Sequence, residues 1–495
     1  FKSLSPQDAW ARRIQSGQAG AMMIGQAAIQ LHGLPIKYLS DWTTRIAKGE
    51  LPKQKPPRPT GVERDVVATI WDWSDPKAYM HDLAGTDWRN PTVNAYGPLY
   101  GAPELSTDEF PILDPNTNTE TSFTAPVRDA DTPIGAGRLL QASPIWGDEA
   151  IWTSKTVAHN PIMDQKGRVW YTAVVRNPDN NPAFCKAGSD HPSAKLFPMT
   201  SSGRQLAVYD PQTKKYTFVD TCYSTHHLRF AEDSNNTLWT SNDRGDLIGE
   251  TIGWLNTKVF DETGDAAKAQ GWTALVLDTN GNGKRDAYVE PDQPVDPTKD
   301  KRFRAGFYSV IESPTDHSIW GSVNAFPGAV LRLTPGANPP ETALAEIYEA
   351  PFNNPKAAVQ GYTPRGLDID RNGVVWTNLS GSGHLASFDR RKCKGPLNGP
   401  AAIGQQCPEG WTLYALPGPQ FAGVTEPGSA DASYLNWVDQ FDTFGMGKDT
   451  PIATGNGMDA LEVLDTKTGK FLVMTVPYPM GFFAKSLDGR IDESK

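Results

Sequence analysis

The sequence predicts an all-β chain, a seven-bladed β-propeller carrying a short N-terminal helical arm. Two recurring phrases and the composition predict it. The first phrase runs from an acidic or turn residue through a Gly or Asn turn to an aliphatic and then Trp. It reads Asp164-Gln-Lys-Gly167-Arg-Val-Trp170, Asp233-Ser-Asn-Asn236-Thr-Leu-Trp239, Pro314-Thr-Asp-His-Ser-Ile-Trp320 and Asp370-Arg-Asn-Gly373-Val-Val-Trp376, with a truncated copy at Leu487–Ile491. A turn feeding an apolar strand, repeated at blade-sized intervals, is how radial repeats are written in sequence. The second phrase is an apolar run, Asp, and a turn: Phe110–Thr117, Leu206–Thr213 and Leu461–Gly469. Its Asp-Pro and Thr-Gly steps make hairpins, and the alternation around them predicts strands with one buried face. With 45 Gly, 41 Pro and 15 Trp in 495 residues, the composition is that of many turns and little helix.

Residues 1–50 read differently. Ser5-Pro6-Gln7-Asp8 is a helix start, with Ser as N-cap, Pro at the first position and Asp in the first turn. That segment runs through Trp10, Ile14, Met22 and Met23 towards Gly33, and a second helix is predicted from Asp41 to Lys48, capped by Gly49. Residues 51–61 are a Pro-rich, extended linker, and 62–495 form the propeller. Strand signals begin at 66–73, which can complete the last unit, from 481 onward. The other units centre on 96–126, 157–220, 225–277, 306–350, 362–417 and 432–477, with insertions at 129–156, 178–204, 241–272 and 391–412. Long inserts on a repeat scaffold gather on a functional face.

The net charge of −10, without a basic stripe, argues against nucleic acid as the partner. No apolar stretch is long enough for a membrane span. The chain begins with Phe1 rather than Met, which is expected of a processed or partial chain. Cys185 with Cys222, and Cys393 with Cys407, flank loops and read as disulfide staples formed in an oxidising compartment, periplasmic or extracellular. Four free thiols are the competing reading.

Asp278-Thr-Asn280-Gly-Asn282-Gly283-Lys284-Arg-Asp286 has the spacing of a calcium loop, with oxygen side chains at positions 1, 3, 5 and 9 and Gly at 6. Position 12 is Val289, so Glu290 is the expected closing ligand, and the ion a structural one. A polar Asn-Gly hairpin is the alternative. Inner strands begin at the central channel, so residues shortly before each repeat Trp line its mouth. These are His159 and Asn160; His226, His227 and Arg229; Tyr308 and Ser309; and Thr363 and Arg365. Three of the eight His fall here, a grouping able to bind metal or anion or to transfer protons. We assign His159, His227 and Arg365 to chemistry, and Asn160, His226, Arg229 and Tyr308 to substrate binding. Arg128 and Asp131 are candidates to reach the same mouth from the adjoining insert. Polar side chains solvating a wet channel are the alternative throughout. No nucleophile elbow, phosphate loop or haem-attachment motif is present.

The combination of the two phrases resembles the blades of virginiamycin B lyase-like propellers from about residue 90 onward. That resemblance implies metal-assisted lyase chemistry using a mouth His and a Glu; His159 and His227 match the His, and the sequence places no Glu beside them. The chain is also similar to an exported bacterial branch in which a c-type cytochrome motif precedes the propeller. The stretch Trp10–Met23 resembles the part after that motif, which implies Met22 or Met23 as an axial ligand to an upstream haem c. Three functions therefore stand at this stage. One is a periplasmic propeller that binds a small substrate or a redox partner and is linked to electron transfer. The others are a metal-dependent lyase and a non-catalytic binding module.

Overall fold

The computed structural model describes residues 4–15, 34–51, 53, 58, 60, 61, 64, 80–137, 152–242, 251–423, 428–476, 484, 491 and 492. Five blades in it follow one plan, four consecutive strands each antiparallel to the next. Blade 1 comprises Pro161–Met163, Val169–Ala173, Gln205–Asp210 and Lys215–Val219. Blade 2 comprises Leu228–Phe230, Thr237–Thr240, Thr251–Asn256 and Gln270–Ala274. Blade 3 comprises Val310–Glu312, Ile319–Val323, Ala329–Thr334 and Leu344–Glu349. Blade 4 comprises Pro364–Ile369, Val375–Leu379, His384–Phe388 and Trp411–Ala415. Blade 5 comprises Asn436–Asp439, Thr450–Gly455, Ala460–Asp465 and Lys470–Thr475.

A sixth sheet, Asp82–Leu83, Leu99–Ala102, Glu109–Asp114 and Thr119–Thr124, precedes blade 1 but starts from a strand of only 2 residues. The expected count of seven is thus corrected to five blades and this sheet. The strand at 66–73 and most of the unit from 481, on which the seventh rested, lie outside the described residues. Three described residues of that terminal stretch link the two ends of the series. Ala484 exchanges hydrogen bonds with the Asn456 side chain of blade 5. The Ile491 N–H donates to Pro91 O, and Asp492 accepts from Tyr96 N, both within the sixth sheet's first connection.

The repeat phrase owes its form to one device. In blade 1, Asp164 turns the chain by accepting the N–H groups of Lys166 (2.9 Å) and Arg168 (3.0 Å), and its second oxygen holds the buried Trp170 indole N–H at 2.9 Å. Asp370 repeats this in blade 4 with Asn372 N, Val374 N and, at 3.4 Å, Trp376. The turn needs a left-handed residue, filled by Gly167 (φ 79°), Asn236 (φ 50°), His317 (φ 56°) and Gly373 (φ 77°), which is why Gly and Asn dominate that slot. Removing Asp164 strands the buried Trp170 N–H and leaves two half-buried turn N–H groups without their acceptor. At about 1–3 kcal/mol per orphaned buried group, Asp164→Ala should lose about 3 kcal/mol of stability, read as a lowered Tm. Asp370→Ala should lose less, because its indole bond is longer.

Blades pack face to face through aromatic and branched side chains. Phe123 of the sixth sheet stacks on Tyr209 of blade 1 at 3.9 Å, and Trp320, Tyr348, Phe388 and Trp411 fill the gap between blades 3 and 4. The insert expected at 241–272 instead supplies the third and fourth strands of blade 2, with a helix at Thr257–Thr263 between them. Both disulfides are present, Cys185–Cys222 and Cys393–Cys407.

In the helical arm, Pro6–Gln15 begins at the expected Ser5, whose Oγ accepts from Asp8 N at 3.2 Å. The second helix, Leu34–Ala47, starts earlier than the predicted Asp41, because Pro35 suits a first helical turn. Trp10 Nε1 donates to Thr43 Oγ1 (3.0 Å), tying the two helices together. Met22 and Met23 lie outside the described residues. Among the described residues no helix is long and apolar enough to cross a membrane.

Candidate metal centre

The residue two before each of the first strands of blades 1, 2 and 3 is fixed by continuing the hydrogen-bond ladder. His159 N donates to Thr172 O (2.9 Å), His226 N to Ser241 O (2.9 Å) and Tyr308 N to Ser322 O (2.7 Å). The same register in successive blades makes these side chains converge. His81, which precedes the short first strand of the sixth sheet, packs tilted against His159, 4.1 Å between ring centroids. His159 meets His226 at 4.1 Å, and His226 meets His227 at 4.0 Å. Tyr308 follows at 4.9 Å from His227, Tyr434 at 6.3 Å from Tyr308, and the Arg365 guanidinium carbon lies 3.8 Å over the Tyr434 ring. The centre thus has an imidazole side and a phenol–guanidinium side.

Three acidic or basic groups lock the imidazole side. Glu104, 7% exposed, accepts from Arg204 Nη2 at 2.9 Å and lies 3.3 Å from His159 Nδ1 and 3.6 Å from His81 Nε2. Arg204 Nε in turn donates to Val157 O at 2.9 Å. Asp82 has one oxygen 3.3 Å from His81 Nδ1 and the other accepting from Asn160 Nδ2 at 3.1 Å. Nitrogen donors of His159, His226 and His227 all fall within 4.8 Å of one another, as do donor atoms of His81, Asp82 and His159.

Burial drives the His159 imidazole well below its usual range, helped by the adjacent His226 and His81. Burial does the same to His226, with Arg204 adding to it. Both rings are therefore neutral at pH 7, the state in which a ring nitrogen lends its lone pair to a metal. Burial alone would raise the Asp82 carboxyl, but the His81 hydrogen bond and the positive charge of its neighbours hold it below the usual value, so it stays anionic. Burial would lower the Arg365 guanidinium, yet the Tyr308 and Tyr434 hydroxyls beside it raise it.

The channel beside these groups, lined by Asn160, His227, Arg229, Ser309 and Asn436, encloses about 80 Å³. That is small against the roughly 300–1,000 Å³ of a usual ligand pocket. It has room for an ion and a few waters.

His159, His226, His227, Tyr308 and Arg365 are therefore brought together as expected, and Asn160 joins them through Asp82. Arg229 lines the channel, but its guanidinium lies on Trp88, 4.6 Å from the ring centroid. Arg128 and Asp131 are engaged elsewhere, a correction to their expected reach. Arg128 pairs with Asp129 and Asp220, and Asp131 accepts from Asn177 Nδ2. His81, Asp82, Glu104, Arg204 and Tyr434 were not foreseen. Glu104 supplies the carboxylate that the sequence did not place; it sits at a left-handed residue (φ 44°) and is bridged to Ala158, beside His159. Tyr434 precedes a blade whose second strand, Thr450–Gly455, contains no Trp, so reading back from Trp could not reach it.

Neither a protein-family model nor a curated protein sequence matches the chain. Among solved structures, a streptogramin B lyase is similar at 11% identity and a TM-score of 0.40, over 81% of this chain and 89% of that one. A virginiamycin B lyase from Staphylococcus aureus is similar at 9% identity and a TM-score of 0.40, over 80% and 88%. A calcium-binding regucalcin from Agrobacterium tumefaciens reaches 12% identity and 0.32, over 80% and 88%. The propeller reading here rests on the chain's own sheets.

Chemically, a buried, neutral, nitrogen-rich cluster backed by carboxylates suits a borderline transition-metal ion such as zinc, and carboxylate-backed imidazoles are oriented for ligation. The facing Arg365, flanked by Tyr308 and Tyr434, offers a cation and hydroxyls to an anionic or carbonyl-bearing ligand.

Proposed function

We propose that the protein is a metal-dependent propeller enzyme acting at its central channel on a small substrate with an anionic or carbonyl group. The gathering of His159, His226 and His227 donors within 4.8 Å in a buried site carries this reading. His159, His226 and His227 would hold the ion, with His81 beside His159, and a bound ion would supply Lewis-acid polarisation of a substrate oxygen. Glu104, 3.3 Å from His159 Nδ1 and hydrogen-bonded to Arg204, would orient the imidazoles and accept or return a proton. Arg365 with Tyr308 and Tyr434 would bind the substrate's anionic end. Elimination and hydrolysis are the reaction classes this set serves, in keeping with the lyase resemblance of the blade phrases. The two disulfides support an exported, periplasmic or extracellular location.

The test is metal analysis of protein purified without chelators, followed by titration of the stripped protein with zinc and with cobalt. One equivalent bound, with a cobalt spectrum typical of nitrogen ligands, is expected. No stoichiometric binding of either ion would overturn the reading. The electron-transfer reading takes its haem ligand candidates, Met22 and Met23, from outside the described residues, and its test is the visible spectrum of the protein from its native source.

A further inference from the structure

A second, chemically different site lies far out in the fold, on the outer edge of blade 3. The sheet of blade 3 is extended there by Val276–Leu277, Tyr288–Val289 and Asp300–Arg302. The loop from Asp278 to Asp286 joins the first two. Its side chains at positions 1, 3, 5 and 9 bond to the loop backbone and to one another. Asp278 accepts the N–H groups of Gly281, Asn282 and Gly283, while Asn280 and Asn282 both reach Asp286 Oδ2, at 3.0 and 2.6 Å.

The expected closing ligand is not available. Glu290 turns away to Arg302, whose Nε donates to it at 2.9 Å, and Val289 at position 12 is a buried strand residue. Asp300 stands in the place of both. It pairs with Tyr288 in the parallel ladder, which sets it beside loop positions 11 and 12. It is fully buried (0% exposed), and one oxygen accepts Asp286 N at 2.7 Å. Its other oxygen, Oδ1, is buried with no hydrogen-bond partner. A buried carboxylate oxygen left bare, in the field of the Asp278 and Asp286 charges, is costly unless a proton or a cation satisfies it.

We propose that Asp278, Asn280, Asn282, Asp286 and Asp300 form a calcium site in which Asp300, from a neighbouring strand, replaces the loop's own position-12 acid. The donors are all oxygens, carboxylate and amide, with no imidazole or thiolate, which selects a hard cation over the transition metals suited to the centre. Its role is structural. Gly399 N donates to Asp278 O at 2.7 Å and Asn398 Nδ2 to Asp278 Oδ2 at 3.2 Å, so the loop clamps the Cys393–Cys407 segment of blade 4. An ion here ties the outer edges of blades 3 and 4 together.

The test is calorimetric titration of chelator-stripped protein with calcium chloride, with Tm measured in parallel. One equivalent of calcium, in the roughly 10⁻⁴–10⁻³ M range of extracellular sites, and a higher Tm are expected. Asp300→Asn should weaken binding at least tenfold and remove the Tm gain, while Glu290→Gln should keep both. Should Asp300→Asn fold poorly, the exposed Asn282→Ala carries the same expectation. His159→Ala should leave the calcium response intact, which separates this site from the centre. Wild-type protein indifferent to 10 mM calcium, or Asp300→Asn binding calcium like wild type, would overturn the proposal.

Discussion

Replacing His159 with alanine should strip the centre of its metal while leaving the propeller folded. His159 touches His81, His226, His227 and Glu104, and among the described residues it alone belongs to both groups of donors close enough to share an ion. Loss of outer groups that merely orient ligands costs about 10–100-fold in metal affinity, so loss of this shared ligand should exceed a hundredfold. Cobalt titration followed by visible absorption reads this directly. If His159→Ala binds cobalt as tightly as wild type, the imidazole cluster is core packing and the metal reading fails. Glu104→Gln sets the complementary test. It keeps the shape but leaves the buried Arg204 guanidinium without its counter-charge, which should cost about 3–5 kcal/mol of stability in addition to weakening metal binding. A variant that loses metal affinity at unchanged stability would assign Glu104 to the metal rather than to Arg204.

The sequence discloses whatever a local turn must satisfy. Asp164 and Asp370 are legible because each folds its own turn and bonds its own Trp, and once those are placed, reading back along the strand finds His159, His227 and Arg365. The second phrase is legible for the same reason: Asp114, Asp210 and Asp465 each accept the N–H two residues on, and a left-handed residue follows at Asn118, Lys214 and Gly469. Groups brought in by long-range pairing are not legible. Glu104 reaches the centre through a bridge to Ala158, and Arg204 through Val157 O, and no local pattern marks either. Glu290 misleads in the opposite sense: spacing nominates it, but Arg302 on the adjoining strand captures it, and Asp300 becomes visible only once the parallel ladder is known. The blade count depends likewise on how the terminal segments pair, which the truncated phrase at Leu487–Ile491 does not encode.

Glu462→Gln should stabilise the protein at neutral and alkaline pH and flatten its stability profile. Glu462 lies in the third strand of blade 5, fully buried, beside the equally buried Asp431. Gly418 and Gly455 make room for the pair, since a Cβ at either would collide with one of the two carboxyls. Burial, then the Asp431 hydrogen bond and its negative charge, push the Glu462 carboxyl up to about 10 from 4.5. The folded protein therefore keeps the proton at pH 7, whereas the unfolded chain has released it. The unfolded state binds fewer protons across that interval, so stability is fullest below about pH 4.5 and falls as pH rises towards 10. At 1.36 kcal/mol per unit, the loss from this group by pH 7 is about 3 kcal/mol. Gln offers nearly the same shape and a permanent N–H donor towards Asp431 without any proton to lose. Urea midpoints at pH 5, 7 and 9 should separate progressively, with the variant the more stable at pH 9. Parallel profiles for variant and wild type would show that Glu462 does not hold its proton in the folded state, and the pair would then have to be ionised and neutralised by some other group.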